Sequence, residues 1–353
     1  MNNFLKTKIS CEMLKFPSEL RLDLASRDWV IIATGRARRP ETFKKEKRKL
    51  EKVPKEKCPF CQIYAQETPT LIFSQGKKVN FKPGDKLPEK WTTLTIPNKY
   101  PAFIPCVDLA SRLEGKLYQT INAVGYHEIV VTADHEKQIA QFSVKEIKEI
   151  VDVYQARYLS LMKKKFVNYI SIFHNHGLEA GATIGHPHSQ IITTPLIDSD
   201  LKKAISCSKR YFKTYKKCVY CLMAQWEART KKRVIFENND FLVICPFASK
   251  IAFEVIITPK KHLAYFEKIT EKQKWQLAEA FQKALSKLYH GLNDPAYNFY
   301  LHTAPCDGRD HSHYHWHWTI LPKTSTWAGF ELGTMMEIST IEPEKAAEYL
   351  KGQ

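Results

Sequence analysis

The sequence predicts an α+β fold built as two related halves, residues 1–200 and 201–353. Three observations carry this. A Cys-x-x-Cys pair occurs twice, at Cys58/Cys61 and at Cys218/Cys221. Each pair precedes apolar strand-like runs, a capped amphipathic helix and a histidine-rich stretch, in the same order. One spacing also repeats: 53 residues separate His135 from His188, and 53 separate His262 from His315. A period of about 150 residues with matched element order points to duplication.

In chain order, the first clear element is a strand at Trp29 to Ala33, followed by Arg36, Arg38 and Arg39 before Pro40. Arginines placed after a strand can clamp a phosphate with bidentate hydrogen bonds, or simply face solvent near the turn. The charged run Lys44 to Lys57 follows, then the Cys58-Pro59-Phe60-Cys61 knuckle. Two prolines stiffen the loop Ile96 to Phe103, and its polar tip at Asn98 suits contact with a base or ribose. His127 to Thr132 reads as a strand ending at Asp134-His135. Ser143 to Lys163 is helical. Ser143 and Glu146 form a capping box, and Ile147, Ile150, Val151, Tyr154, Tyr158 and Leu161 make the buried stripe.

The second half answers element by element. Phe241 to Ala248 matches the Tyr100 to Phe103 region, and Phe253 to His262 matches His127 to His135. Thr270 to Tyr289 is a helix with the capping pair Thr270 and Gln273. Tyr297 to His302 matches Tyr169 to His174, and His311 to Pro322 matches His186 to Pro195. His311, His313, His315 and His317 would face one way on a strand.

The chain is 44% apolar and 26% charged, which supports a full core and excludes disorder. No apolar run is long enough for a transmembrane helix. The N-terminal stretch lacks the apolar core of a signal peptide, so a cytoplasmic protein is expected. The net charge of +17 admits a zinc-stabilised nucleic-acid-binding protein. Much of that excess sits in the linker-like Lys44 to Lys57 run, however, and a basic surface also steers nucleotides and sugar phosphates. We therefore expect small anionic substrates, with neither nucleic acid nor membrane as partner. Without a secretion signal, the paired cysteines favour metal ligation over disulfides, and the other five read as small apolar residues.

The stretch Tyr169 to Pro195 concentrates the chemistry. A strand leads into a loop punctuated by Gly177, Gly181 and Gly185, which delivers His186-Pro187-His188-Ser189-Gln190 into a second strand. On an extended chain His186 and His188 point to one side. Cys58, Cys61, His135 and His186 make a Cys2His2 donor set suited to a closed, structural zinc site. That leaves His188 as a free imidazole able to attack an α-phosphorus. Gln190, on the same strand face, can donate to a phosphoryl oxygen. Asn175 and the amides from Gly181 to Gly185 can hold the other phosphate oxygens.

Arg36 to Pro40, C-P-F-C, N-K-Y-P-A-F, A-D-H, F-H-N-H-G and H-P-H-S-Q, in this order, resemble the galactose-1-phosphate uridylyltransferase family, a duplicated branch of the histidine-triad superfamily. The resemblance runs from about Arg21 to about Ile338. It implies two histidine-triad-like halves, each with an antiparallel sheet and packed helices, in a dimer. It also implies exchange of a nucleoside monophosphate between a nucleotide sugar and a hexose 1-phosphate through a nucleotidyl-histidine. His188 matches the nucleophile. Cys58, Cys61, His135 and His186 match the first metal site. Gln190 and Asn175 match the phosphate contacts and Asn98 the nucleoside loop, and Arg36, Arg39, Gly185 and Ser189 are further candidate substrate-binding residues. Ala328 to Gly333 looks like the sugar-recognition loop that reaches across the dimer, with Phe330 and Glu331 on the hexose. The best-known members use a glutamate and three histidines at the second metal site. This chain offers Cys218, Cys221, His262 and one of His313, His315 or His317, of which His315 is favoured. That set looks more like the ADP-glucose phosphorylase-like branch, which carries a second zinc. Ser189 also stands where the classical enzymes have glycine, which weakens the uridylyl-plus-galactose assignment but not the nucleotidyltransferase one. The alternating histidines leave open a second catalytic triad.

Overall fold

The computed structural model describes residues 18–33, 39–44 and 53–353. Its organising feature is one continuous sheet of eleven strands shared by both halves. The strands are β1 (Glu19–Leu22), β2 (Trp29–Ile32), β3 (Leu71–Ser74), β4 (Lys77–Lys78), β5 (Thr93–Pro97), β6 (Ser111–Glu114), β7 (Tyr118–Ile121), β8 (His127–Thr132), β9 (Tyr169–His176), β10 (His188–Thr194), β11 (Val234–Glu237), β12 (Phe241–Ile244), β13 (Val255–Pro259), β14 (Tyr297–His302), β15 (His317–Pro322) and β16 (Ile338–Ser339). The helices are α1 (Val144–Leu161), α2 (Ser199–Tyr215), α3 (Val219–Thr230), α4 (Glu271–Leu292), α5 (Gly329–Thr334) and α6 (Pro343–Lys351).

The large sheet runs β11-β12-β13-β15-β14-β9-β10-β8-β5-β3-β4, and every adjacent pair in it is antiparallel. β1, β2 and β16 form a small separate sheet, and β6 and β7 an exposed hairpin. The halves meet where β9 pairs with β14, with Phe173 opposite Tyr300 and His176 opposite Tyr297. Strand order is mirrored about that seam: β9-β10-β8-β5 on one side, β14-β15-β13-β12 on the other.

Side-chain alternation then separates two faces. One face is the main core, where α1 and α4 pack together and against Ile170, Ile172, Ile191, Phe299, Trp318 and Ile320. The expected stripe of α1 is buried, from Ile147 to Leu161, and both capping boxes are present. On the opposite face, the first half packs its cysteine knuckle against Ile72, Leu94, Ile96, Ile129 and Val131. The second half packs α3 against Leu242 and Ile244 there.

Several sequence expectations shift. β12 is the counterpart of β5, because each is the next strand out from β13 and β8 respectively, so Phe241 to Ile244 answers Thr93 to Ile96 rather than the Tyr100 loop. His311 to Trp316 is not strand; β15 begins at His317, so the four alternating histidines do not share a face. The helices α2 and α3, on the connection between the halves, have no sequence expectation to match. Cys106 is exposed, and Cys11 lies outside the described residues. No helix among the described residues is long and apolar enough to cross a membrane.

A charged pair ties α1 to the sheet. Arg157 donates to both oxygens of Glu128, at 2.8 and 2.6 Å, with both side chains buried. Removing one partner strands the other charge in the core, at a cost of about 3–5 kcal/mol. Glu128→Ala is therefore expected to lower urea-unfolding stability by about that amount. A loss below about 1 kcal/mol would show that the pair is solvated and weak.

Candidate active site and metal centres

Two Cys2His2 clusters form, one in each half: Cys58, Cys61, His135 and His186, and Cys218, Cys221, His262 and His315. In each cluster all donor atoms lie within 4.8 Å of one another. In the first, the Nδ1 atoms of His135 and His186 are 3.2 Å apart, and Cys61 Sγ lies 3.1 and 3.5 Å from them. Cys58 Sγ is 3.6 Å from His186 Nδ1. A tetrahedron with Zn–S of about 2.3 Å and Zn–N of about 2.0 Å has edges of roughly 3.3–3.8 Å. The donor atoms are thus already spaced as the corners of such a site.

The far side of each ring supports the same reading. His135 Nε2–H donates to Val53 O at 2.9 Å, and His186 Nε2–H to Thr132 O at 2.7 Å. In the second cluster His262 donates to Ser312 O at 2.6 Å and His315 to Pro259 O at 3.0 Å. All four rings therefore present an unprotonated Nδ1 to their cluster, the tautomer a metal needs. Burial pulls His186 down to about 4, which keeps it neutral. The Cys61 thiol is pushed up to about 11, by burial first and then by the neighbouring Cys58 sulfur. A bound dication would relieve that repulsion.

His188 opens β10, half-buried, two residues beyond His186. Its Nδ1–H donates to His186 O at 2.9 Å, so Nε2 carries the free lone pair. The Phe60 ring from the knuckle lies 4.8 Å from the imidazole, centre to centre. Burial lowers the His188 pKa below the ordinary histidine value, favouring the neutral form. From behind, His174 Nδ1–H donates to His188 O at 2.7 Å, and the His174 ring stacks on Phe299 of the second half.

Gln190 lies on the same face as His188. Its Oε1 is 2.8 Å from His127 Nε2. Ala102 N–H donates to His127 Nδ1 at 3.1 Å, so the His127 proton sits on Nε2 and is given to Gln190. That fixes the amide with its NH2 group available to a ligand. The sequence reading missed His127, whose only signal is a half-buried polar residue at a strand start. Gly125, two residues earlier, permits the close approach there: a Cβ would lie 2.2 Å from Thr193 O.

Asn175, next to His188 across the β9–β10 ladder, accepts from Asn298 Nδ2 at 2.8 Å, and its own NH2 has no hydrogen-bond partner among the described residues. Asn298 also donates to Ala180 O at 2.8 Å, so the second half anchors the glycine loop. Within that loop Gly181 has a φ of +85°, a conformation that favours glycine. The Gly185 carbonyl accepts from Gln138 at 3.4 Å. Asn98 lies at the end of β5, with its Oδ1 accepting from Tyr100 N–H.

Ser189 departs from expectation. It is buried and turned into the core, accepting from Tyr154 O–H at 2.6 Å, because strand alternation aims it away from His188 and Gln190. Arg39 is exposed before a 3₁₀ turn, and Arg36 lies outside the described residues. Phe330 and Glu331 sit on the exposed α5, and no hydrogen bond or ring contact among the described residues joins them to His188. His315 is the histidine that enters the second cluster; His311 bonds Asp307 at 2.9 Å instead. The repeated 53-residue spacing therefore joined unlike residues, since His315 matches the ligand His186 and His317 matches His188.

The duplicated sheet and the paired Cys/His clusters define a histidine-triad-like nucleotidyltransferase, and the comparisons agree. Residues 9–197 match the model of the galactose-1-phosphate uridyl transferase N-terminal domain, and residues 204–351 that of the C-terminal domain. The chain belongs to the galactose-1-phosphate uridylyltransferase family. It is 31% identical over 342 residues to the ADP-glucose phosphorylase of Arabidopsis thaliana, covering 94% of this chain and 92% of that one. It is 27% identical over 343 residues to the galactose-1-phosphate uridylyltransferase of Thermotoga maritima, covering 94% and 98%. The Arabidopsis thaliana ADP-glucose phosphorylase structure with bound ADP-glucose superposes with a TM-score of 0.77 at 28% identity, covering 95% of this chain and 99% of that one. A uridylyltransferase structure gives 0.71 at 25% identity, covering 95% and 97%.

Each cluster is expected to hold one divalent ion. Elemental analysis of purified protein should find two equivalents per chain, and Cys61→Ala should lower this to one. Unchanged content in Cys61→Ala would remove the first cluster as a metal site.

Proposed function

We propose that the enzyme transfers a nucleoside monophosphate through a covalent nucleotidyl-histidine at His188. The observation that carries this is the free Nε2 of His188, held neutral and aimed by the His186 carbonyl. In the first step Nε2 attacks the α-phosphorus of a nucleotide sugar in line, and the sugar 1-phosphate leaves with the bonding electrons. In the second, a phosphate oxygen of the acceptor attacks the same phosphorus, and the P–N bond breaks back to His188. The Gln190 amide, oriented by His127, and the Asn175 amide donate to the non-bridging oxygens as charge builds.

Both clusters fit zinc. Cys58, Cys61, His135 and His186 would hold one ion, and Cys218, Cys221, His262 and His315 the other, each lending structural rigidity rather than a reactive water. His186 couples the first cluster to catalysis, with its ring in the cluster and its carbonyl on His188. The free thiols suit a reducing, cytoplasmic setting. The halves, residues 1–200 and 201–353, divide these tasks. Phe330 and Glu331, which share no hydrogen bond or ring contact with His188 among the described residues, would serve the hexose of a partner subunit in a homodimer, and Arg36 and Arg39 would contact the phosphates.

The principal reading of the substrates is a nucleotide sugar and a hexose 1-phosphate, as in a galactose-1-phosphate uridylyltransferase. A second reading, adenylyl transfer from ADP-glucose to phosphate, is favoured by the resemblance to the Arabidopsis thaliana phosphorylase in sequence and structure.

Intact-protein mass after incubation with UDP-glucose and, separately, ADP-glucose, quenched at alkaline pH, separates them. A UMP or AMP adduct that disappears in His188→Ala is expected, and its mass names the base. An adduct retained in His188→Ala would refute the nucleophile assignment. For the amide, Gln190→Ala is expected to slow adduct formation by roughly 10²–10³-fold. His127→Leu should slow it less, and the double variant should be no slower than Gln190→Ala alone. Additive losses would mean that His127 does not act through Gln190.

A further inference from the structure

The face that carries His188 in the first half exists a second time, and there it is roofed over. His317 opens β15 as His188 opens β10, two residues beyond a cluster histidine, with its Nδ1 3.3 Å from His315 O. Tyr220 occupies the place of Phe60 in the second knuckle, its ring centre 5.5 Å from that of His317. The cross-strand registers extend the match. His317 pairs with His302 where His188 neighbours Asn175, and Thr319 pairs with Ile256 where Gln190 pairs with Ile129. Further out, Pro246 and Phe247 follow β12 where Asn98 and Lys99 follow β5. Over this second face α2, α3 and the turn after β1 border an open-mouthed cavity of about 730 Å³, reaching from His317 to Phe247.

The lining has changed character. Gln190, Asn175 and Asn98 are answered by Thr319, His302 and Pro246, so the phosphate-holding amides are gone. The cations at the cavity are engaged: Arg233 with Glu227, Lys203 with Asp28, and Lys250 with Glu337 at 3.6 Å. Lys232 lies exposed at the rim. No cation among the described residues is therefore spare for a phosphate on the floor. Yet the floor is not apolar. The ring of His302, the hydroxyls of Tyr300, Thr319 and Thr258, and Nε2 of His317 hold no side-chain hydrogen bond among the described residues. Burial lowers His302 to about 4, so it offers a neutral acceptor and donor. Polar groups left unpaired at the cavity, half-buried at Tyr300, His302 and His317 and buried at Thr258 and Thr319, call for a neutral ligand with matching donors and acceptors.

We propose that this cavity is a second ligand site, which takes an uncharged nucleoside. The duplicated nucleotide path supplies the shape, from the base end at Phe247 to the histidine end at His317. The engaged cations and missing amides exclude the phosphates. The Tyr220 ring suits a flat base, Phe247 closes the far end with Arg21 and Arg233 lying over its ring at 4.6 and 5.1 Å, and His302, Tyr300 and Thr319 suit hydroxyls and ring nitrogens. The site carries no group transfer, since a nucleoside presents no phosphorus to His317.

Full-length, metal-loaded protein would be photolabelled with 8-azidoadenosine and, separately, 5-azidouridine, and the modified peptides mapped. Label is expected on α3 or on residues 246–250, competed by the parent nucleoside and not by its 5′-monophosphate. His302→Leu should reduce it about tenfold, the worth of one lost hydrogen bond. Ala204→Trp, which fills the cavity from α2, should abolish it. Both variants should still form the His188 adduct, which checks the fold. Label confined to the region around His188, cavity label untouched by both variants, or equal competition by the monophosphate would each overturn the proposal. Which probe labels distinguishes a purine from a pyrimidine site.

Discussion

The antiparallel pairing of β9 with β14 is the constraint on which the rest depends. It turns two half-sheets into one and places Phe173 directly opposite Tyr300, its own counterpart in the duplication. A local two-fold axis therefore passes through that pair. From the axis outward, each half supplies what the other lacks. Asn298 reaches across to hold Asn175 and the loop carbonyl of Ala180, and Phe299 backs the ring of His174, which in turn holds the carbonyl of His188. A first half excised at residue 200 would lose the partner strand of β9, leaving an open sheet edge, and would lose the anchors of its glycine loop.

From the seam, order passes to the reacting atom through histidine backbones. His186 is used twice, with its ring in the cluster and its carbonyl on His188. A shift of the cluster would thus shift the His188 imidazole by way of two rigid peptide units. The second half repeats the arrangement at His315 and His317, with the longer distance of 3.3 Å against 2.9 Å. Under the proposed mechanism the same local geometry would serve catalysis in one half and architecture, or the binding of a neutral ligand, in the other. What differs is the next shell: an amide pinned by His127 in the first half, a threonine beside a roofed cavity in the second.

Much of this was legible in the residues because it is written in short-range chemistry. The capping boxes of Ser143 with Glu146 and Thr270 with Gln273, the two cysteine knuckles and the stripe of α1 each need only local spacing. The register across the seam was not legible. Matching Tyr297 to Tyr169 makes His302 the partner of His174, whereas the strand ladders make it the partner of Asn175. A one-residue slip moves a side chain to the other face of a sheet, and both strands carry aromatic and polar residues at either parity. The burial of Ser189 follows the same alternation. The helices α2 and α3 carry weak local signals, an Asp198 cap and a short apolar set, whose meaning appears only once they lie over the second half.

Duplication also explains why the more degenerate half keeps its donor set. A Cys2His2 cluster is a closed unit: losing one ligand leaves a metal site with an incomplete donor set. Gln190, Asn175 and Asn98 are different, because each can be replaced singly without stranding a charge. The second half shows that division. Its four cluster residues and the following histidine correspond to those of the first half, while Thr319, His302 and Pro246 stand where the first half has its amides. The face so altered can no longer stabilise a developing phosphoryl charge, but it keeps its shape because the cluster and the central seam still hold the strands that form it.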